Sequence, residues 1–203
     1  NPSIRFTGVD ASPLMIARGR ERAARLRLEN VDFVLEDFAS LLRAARGTYD
    51  AAICTMTLHD LPHAAALDTG LQAMAVCAGP AGAIYIEDFA RLKAPASIDF
   101  FVNLNAPTAA DRFSALYRCS LAAAFTLSEL REALHRWLPR VTLHQTFLVP
   151  FLTVAKTADG ALSGAQKREL TLQRAGLSVA NRRDLDDLRR FFKLGGLRND
   201  PFV

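Results

Sequence analysis

Four short apolar runs alternate with helix-like segments in the N-terminal half of the chain, and this alternation constrains the fold most. Each run ends in polar or acidic residues before a helical periodicity or a turn begins. The predicted strands are Ile4–Val9, Val31–Leu35, Ala51–Cys54 and Ala83–Ile86. Such alternation predicts an α/β fold with a doubly wound, Rossmann-like sheet that is mostly parallel. We expect these four strands to be neighbours in the sheet and helices to cover both of its faces.

The C-terminal half predicts three further features. Residues 91–125 are rich in aromatics without a clean period, which indicates a cap inserted into the domain. Thr126-Leu127-Ser128-Glu129 has the pattern of a capping box and opens a predicted helix. The runs Val141–Phe147 and Phe151–Ala155 then predict an antiparallel hairpin that closes one edge of the sheet.

A basic helical tail is predicted at residues 158–203, after a domain that spans residues 1–157. The net charge of the chain is +4, and residues 161–203 hold nine Lys or Arg against five acidic residues. The charge is therefore a property of the tail, and nucleic acid is an unlikely partner. Because the apolar stripe of the tail is short, we expect its deletion to leave the sheet folded.

The remaining composition argues against several other classes. The apolar runs are too short for a membrane span of roughly 20 residues. Cys54, Cys77 and Cys119 are widely spaced and odd in number, which fits reduced thiols better than a metal or disulfide site. We expect a cytoplasmic protein without a membrane partner, with homo-oligomerisation left open.

Asp10, at the end of the first predicted strand, is the leading candidate for ligand binding. In parallel sheets ligands bind at the carboxyl ends of the strands, and a carboxylate there can accept bonds from a ribose diol. The position fits nicotinamide dinucleotides and S-adenosylmethionine, and an aspartate that caps the following helix is the plainer alternative.

Glu87-Asp88 could supply a general base or cap the next segment. His59 and His63 have the spacing of a helical zinc site, but Pro62 breaks that helix, and no metal is predicted.

The order of the strand ends carries a family resemblance. The series is Phe6-Thr7-Gly8-Val9-Asp10-Ala11-Ser12, Val34-Leu35-Glu36-Asp37-Phe38, Tyr49-Asp50-Ala51-Ala52-Ile53-Cys54-Thr55-Met56-Thr57-Leu58-His59-Asp60-Leu61-Pro62 and Gly82-Ala83-Ile84-Tyr85-Ile86-Glu87-Asp88-Phe89. It resembles the second to fifth strands of class I S-adenosylmethionine-dependent methyltransferases of the small-molecule type, over roughly residues 4 to 156.

The resemblance implies roles for particular residues. Asp10 would hold the ribose hydroxyls, with Ala11 and Met15 near the adenosine. Asp37 would accept from the adenine amino group, with Phe38 beside the ring. Cys54 and Thr55 would border the methionine portion, Thr55 standing where many relatives have asparagine. The family also has a first strand and a glycine-rich turn before the position of Asp10, and we expect this N-terminal part of the domain to be missing from the sequence.

The function expected from these features is transfer of a methyl group from S-adenosylmethionine to a small-molecule acceptor. His59 follows the strand that borders the methyl group, and its ordinary pKa lies near neutrality, so it is the candidate base. A catalytically silent interaction module and an NAD-dependent oxidoreductase are the alternatives. The sequence does not specify the acceptor molecule or the acceptor atom.

Overall fold

The computed structural model describes residues 3–44, 49–105, 111–158 and 160–198. The strands are β1 (Phe6–Asp10), β2 (Val31–Leu35), β3 (Ala51–Thr55), β4 (Ala83–Phe89), β5 (Thr142–Gln145) and β6 (Leu152–Lys156). The helices are α1 (Pro13–Arg25), α2 (Phe38–Ala44), α3 (Ala64–Ala78), α4 (Pro95–Asn105), α5 (Asp111–Ala123), α6 (Leu127–Trp137), α7 (Gly164–Ala175) and α8 (Val179–Leu194). A short 3-10 helix, Leu58–Asp60, follows β3.

The predicted α/β fold is confirmed, but its strands form two sheets. β1 and β2 pair in parallel, from Phe6↔Val31 to Asp10↔Leu35. The second sheet has the order β3-β4-β6-β5, in which β3 and β4 are parallel and the pairs β4–β6 and β6–β5 are antiparallel. The expectation of four neighbouring parallel strands was therefore wrong, because no ladder joins the two sheets within the described ranges.

Side-chain alternation places a separate apolar cluster on each face of the four-stranded sheet. Ile84 and Ala155 belong to the cluster that packs against α3 and α6. Phe89 and Val154 belong to the cluster that packs against α4, α5 and α8. Successive residues of a strand point to opposite faces, so β4 and β6 contribute to both clusters. The sheet is thus covered on both sides, as a buried sheet requires.

The two-stranded sheet is covered much less completely. No residue of β1 or β2 is buried, and the buried residues of this region are Ile16 and Ala23 on α1. α2 connects it to the rest of the protein by packing on α3, where the Phe38 ring lies against Gly70. A Cβ at Gly70 would be 3.3 Å from that ring, so the glycine permits a close approach of the two helices.

Local sequence explains several helix ends. Ser12 accepts a hydrogen bond from Met15 N at 3.4 Å and is followed by Pro13, which fits the first turn of α1. The predicted capping box opens α6, with Thr126 and Glu129 bonded reciprocally. α3 ends at Gly79, whose φ of 63° is readily adopted by glycine.

The C-terminal tail is part of the packed structure. Phe192 on α8 is 5% exposed and lies in the cluster with Val154. A Cβ at Gly195 would lie 2.0 Å from the carbonyl oxygen of Gln145, so the end of α8 touches β5 directly. This packing argues against the expectation that the sheet stays folded when the tail is deleted, and that expectation stays a prediction. α7 lies within the predicted helical tail and has no buried residue.

Within the described part of the chain, none of the helices has the length and apolar character needed to cross a membrane.

Candidate functional site

A buried Asp88–His59 pair lies at the carboxyl ends of β3 and β4. β4 continues to Phe89, beyond its predicted end, so Asp88 lies within the strand and is 1% exposed. Its Oδ1 is 2.6 Å from His59 Nδ1. Its Oδ2 accepts hydrogen bonds from Thr57 N at 2.9 Å and from Leu58 N at 2.6 Å. One carboxylate therefore both caps the 3-10 helix and holds the histidine ring.

The turn after β3 brings these groups together. Met56 adopts a φ of 51°, a left-handed conformation that costs a non-glycine residue about 1–2 kcal/mol. Its amide donates to the Glu87 carbonyl at 2.8 Å, which continues the pairing of β3 with β4. The amides of Thr57 and Leu58 then face Asp88. Strain at this turn is thus offset by three hydrogen bonds that position His59.

The surroundings of His59 favour its protonated form. Burial on its own would lower the pKa of His59, but the hydrogen bond to Asp88 and the negative charges of Asp88 and Asp60 outweigh it, so the pKa is raised. When the ring is neutral, Nδ1–H donates to Asp88 and Nε2 carries the lone pair. Asp60 Oδ1 is 3.6 Å from Nε2 and would stabilise a proton received there.

Asp10 is half-buried at the end of β1, where a ligand-binding carboxylate was predicted. Its Oδ1 accepts a hydrogen bond from Ser12 N at 2.8 Å. The side chain that caps α1 is that of Ser12, so Asp10 shapes the turn before the helix instead of capping it. The carboxylate has a second oxygen, Oδ2, which is the acceptor that a bound molecule could use. The predicted neighbours Ala11 and Met15 are both exposed, with Met15 at 50%.

Asp37 and Phe38 have structural partners at the end of β2. Asp37 is exposed, and its Oδ1 accepts from Ser40 N at 2.7 Å in the first turn of α2. This backbone hydrogen bond lowers the pKa of Asp37, so the carboxylate is charged and one oxygen is engaged. Phe38 is half-buried and packs against the cluster of α3 and α6.

Cys54 and Thr55 point in opposite directions from β3. Cys54 is 8% exposed and belongs to the apolar core. Burial raises the pKa of its thiol to about 11, so it is neutral. Thr55 is exposed. The side chain of Cys54 therefore faces the core, and only the backbone of this residue could border a ligand.

His63, which the sequence places four residues after His59, has a separate structural role. Its Nδ1 accepts a hydrogen bond from Ala66 N at 3.1 Å and caps α3. His59 and His63 thus have different partners.

Sequence reasoning missed the pairing of Asp88 with His59. Asp88 was considered as a base or a cap, and it does act as a cap, for a segment 30 residues earlier in the chain. The available signal was the position of both residues just after the predicted ends of consecutive strands, since parallel strand ends meet at one edge of a sheet.

A family model described as a methyltransferase domain matches residues 1–82. No curated protein sequence matches the chain.

Three solved structures are similar in fold. A possible exported protein from Bordetella parapertussis has 16% identity and a TM-score of 0.55, covering 77% of this chain and 54% of that chain. A protein from work on conversion of a disulfide bond into a thioacetal group in echinomycin biosynthesis has 17% identity and a TM-score of 0.52, covering 84% and 73%. The PH0226 protein from Pyrococcus horikoshii OT3 has 15% identity and a TM-score of 0.51, covering 77% and 73%.

At these identities the solved structures establish the fold, which is a Rossmann-like α/β domain. Together with the methyltransferase-domain match, the fold confirms the resemblance to class I S-adenosylmethionine-dependent methyltransferases. The chain spans 54% of the length of the Bordetella protein.

Proposed function

We propose that the protein is an S-adenosylmethionine-dependent methyltransferase that acts on a small-molecule acceptor. The observation that carries the proposal is the buried His59–Asp88 pair at the carboxyl ends of β3 and β4, in a chain whose first 82 residues match a methyltransferase domain. A proton acceptor at the ligand-binding edge of such a sheet suits the removal of a proton from a methyl acceptor.

The hydrogen-bond acceptors at the ends of β1 and β2 fit the nucleoside half of the cofactor. Asp10 Oδ2 would accept from the ribose hydroxyls while Oδ1 keeps its bond to Ser12 N. The exposed side chain of Met15 would cover the adenosine from α1. Asp37 can offer its second oxygen to the adenine amino group, since the first caps α2. Thr55 and the backbone of Cys54 would border the methionine portion. When bound, the cofactor supplies the methyl group from a sulfonium.

His59 acts as the base in this proposal. Asp88 holds the Nδ1–H tautomer, so Nε2 is the atom that receives the acceptor's proton. The imidazolium that results lies between Asp88 and Asp60, and their charges stabilise it. Asp88 contacts neither the acceptor nor the cofactor in this arrangement, so it is a positioning residue.

Calorimetric titration of S-adenosylmethionine into the full-length protein tests the proposal. Asp10→Ala removes the charge-assisted bonds to the ribose and should weaken binding by roughly 2–4 kcal/mol, or about 30- to 1,000-fold. Because Asp10 also bonds Ser12 N, this variant should lose about 0.5–1.5 kcal/mol of unfolding free energy.

Two further variants separate these effects. Asp10→Asn keeps an oxygen for Ser12 N but removes the charge, so it should retain stability and still bind the cofactor less tightly. Asp32→Ala, at an exposed position on β2, is the matched control and should bind normally. No binding by the wild-type protein would favour a catalytically silent interaction module. Tighter binding of NAD in a parallel titration would favour the oxidoreductase.

A further inference from the structure

A row of three aromatic rings leads away from His59. The Phe89 ring lies 5.1 Å from the His59 ring, centroid to centroid. Tyr117 on α5 lies 5.6 Å from Phe89, and Phe113, one turn earlier on α5, lies 5.9 Å from Tyr117 with the two rings inclined by 23°. We refer to Phe89, Tyr117 and Phe113 as the aromatic row. It connects the predicted base to the cap.

Burial decreases steadily along the aromatic row. Phe89 is 8% exposed, Tyr117 is half-buried, and Phe113 is 54% exposed. Leu116, on the same face of α5, is 59% exposed. Rings that served only to fill the core would be covered at both ends. The outer end of this row instead presents apolar surface to solvent beside the candidate site, and such surface is typical of ligand-binding sites.

The charges near the aromatic row favour a neutral ligand. At the inner end, Asp60 and Asp88 lie beside the His59 ring, and Glu87 precedes Asp88 on β4. Glu87 is half-buried and accepts a hydrogen bond from Tyr85 at 2.8 Å. At the outer end, Arg118 is paired with Asp99. A carboxylate or phosphate would therefore meet negative charge near the base. Of the two arginines on α5, Arg112 and Arg118, the second is already paired with Asp99.

Burial also raises the pKa of Tyr117, so its hydroxyl is neutral. The row thus offers ring faces and edges without a charge. Aromatic molecules pack on such rings with centroids about 4.5–7 Å apart, which is the spacing within the row itself.

We infer that the aromatic row is the wall of the acceptor site, and that the acceptor is a neutral, planar aromatic molecule with a hydroxyl group at its inner end. This inference rests on the proposed function, since His59 would take the proton of that hydroxyl. The outer ring of the acceptor packs on Phe113 and Tyr117, and the hydroxyl lies toward His59.

Binding of 2-naphthol and of its saturated analogue, decahydro-2-naphthol, tests the inference. Both are neutral alcohols of similar size, and only the first is planar and aromatic. Titration calorimetry with the full-length protein, without cofactor, should show 2-naphthol binding about 10-fold more tightly. Phe113→Ala should weaken naphthol binding by about 2- to 10-fold, and Phe113→Leu, which keeps apolar volume but removes the ring, should also weaken it.

Phe100→Ala is the matched control. Phe100 is 60% exposed on α4, and its ring contacts Phe101, which is not part of the row. This variant should bind 2-naphthol like the wild type. Melting curves verify folding, which exposed substitutions at these two positions should preserve.

Three results would overturn the inference: equal or undetectable binding of the two alcohols, wild-type binding by Phe113→Leu, or an equal loss in Phe100→Ala. The test is independent of the proposed function. If the cofactor binds normally and 2-naphthol is not preferred, only the inference of an aromatic acceptor is refuted. If the cofactor does not bind, the methyltransferase proposal is refuted, and the naphthol result can still be interpreted by itself.

Discussion

The two sheets of this protein carry different parts of the proposed site on very different amounts of packing. β1 and β2 contain no buried residue, yet they end at Asp10 and lead to Asp37, which would hold the cofactor's nucleoside. In β6, by contrast, the residues from Leu152 to Ala155 are all buried, and the four-stranded sheet carries the His59–Asp88 pair. The His59–Asp88 side of the site is thus built into a core, and the nucleoside side is attached to that core through the packing of α2 on α3.

Because of this difference, ligand binding should affect the stability of the two regions unequally. The His59–Asp88 pair is held by packing whether or not a ligand is present. The nucleoside side has little packing of its own, so a ligand that binds only the ordered form should stabilise that region most. Three substitution experiments test whether the two regions differ in this way.

The largest effect is expected from a matched pair of phenylalanines. Phe192→Ala removes a ring that is 5% exposed in the cluster beneath α8, and should lower the free energy of unfolding by about 3–5 kcal/mol. Phe6→Ala removes a ring that is 42% exposed on β1, and should cost about 1 kcal/mol or less. Urea denaturation measures both. Similar losses would show that the two regions do not differ in packing, and a small loss at Phe192 would restore the expectation of a dispensable tail.

A smaller effect is expected at the contact between the tail and the sheet. Gly195→Ala places a methyl group 2.0 Å from the Gln145 carbonyl oxygen, so α8 or β5 must shift, at a cost of about 1–3 kcal/mol. Gly160→Ala is the control, because a Cβ there meets nothing within 4 Å and should change stability by less than about 0.5 kcal/mol. Thermal melts of the two variants check this, and equal melting temperatures would mean that the α8 contact does not constrain the sheet.

The smallest effect concerns the pH dependence of stability at His59. The pKa of His59 is raised above its ordinary value of 6.5 in the folded protein, so protonation favours folding. The stabilisation is complete below pH 6.5 and is lost as the pH rises through the folded pKa. The difference in unfolding free energy between the wild type and His59→Asn should shrink over that interval. Urea denaturation on both sides of pH 6.5 measures it, and a difference that grows with pH would show that burial dominates over Asp88.

Local sequence signals predicted those elements whose cause is local. β2 begins and ends where predicted, at Val31 and Leu35, because an apolar run is bounded by polar residues on both sides. The capping box at Thr126 and Glu129 was likewise visible, since its two partners are three residues apart. The resemblance supplied the class of protein, because it depends on the order of strand ends along the chain.

Features that depend on tertiary packing were not predicted. Cys54 borders the site in sequence, but strand alternation turns its thiol into the core while Thr55 faces out. The pairing of His59 with Asp88 joins residues that are 29 positions apart and requires β4 to extend to Phe89. The roles of Asp10, Ala11, Met15, Asp37 and Phe38 toward a cofactor remain predictions, as does the cytoplasmic location.

The double engagement of Asp88 limits which residues can replace it. One oxygen serves the amides that start the 3-10 helix, and the other serves the imidazole, so both ends of the carboxylate are fixed in space. A glutamate would carry one more methylene into a strand position that is 1% exposed, and its oxygens could not reach both partners without moving the backbone. An asparagine would keep one acceptor but present an amide to the other partner. Replacing the proposed base, His59, or its partner Asp88 would therefore require a change in the turn after β3 at the same time.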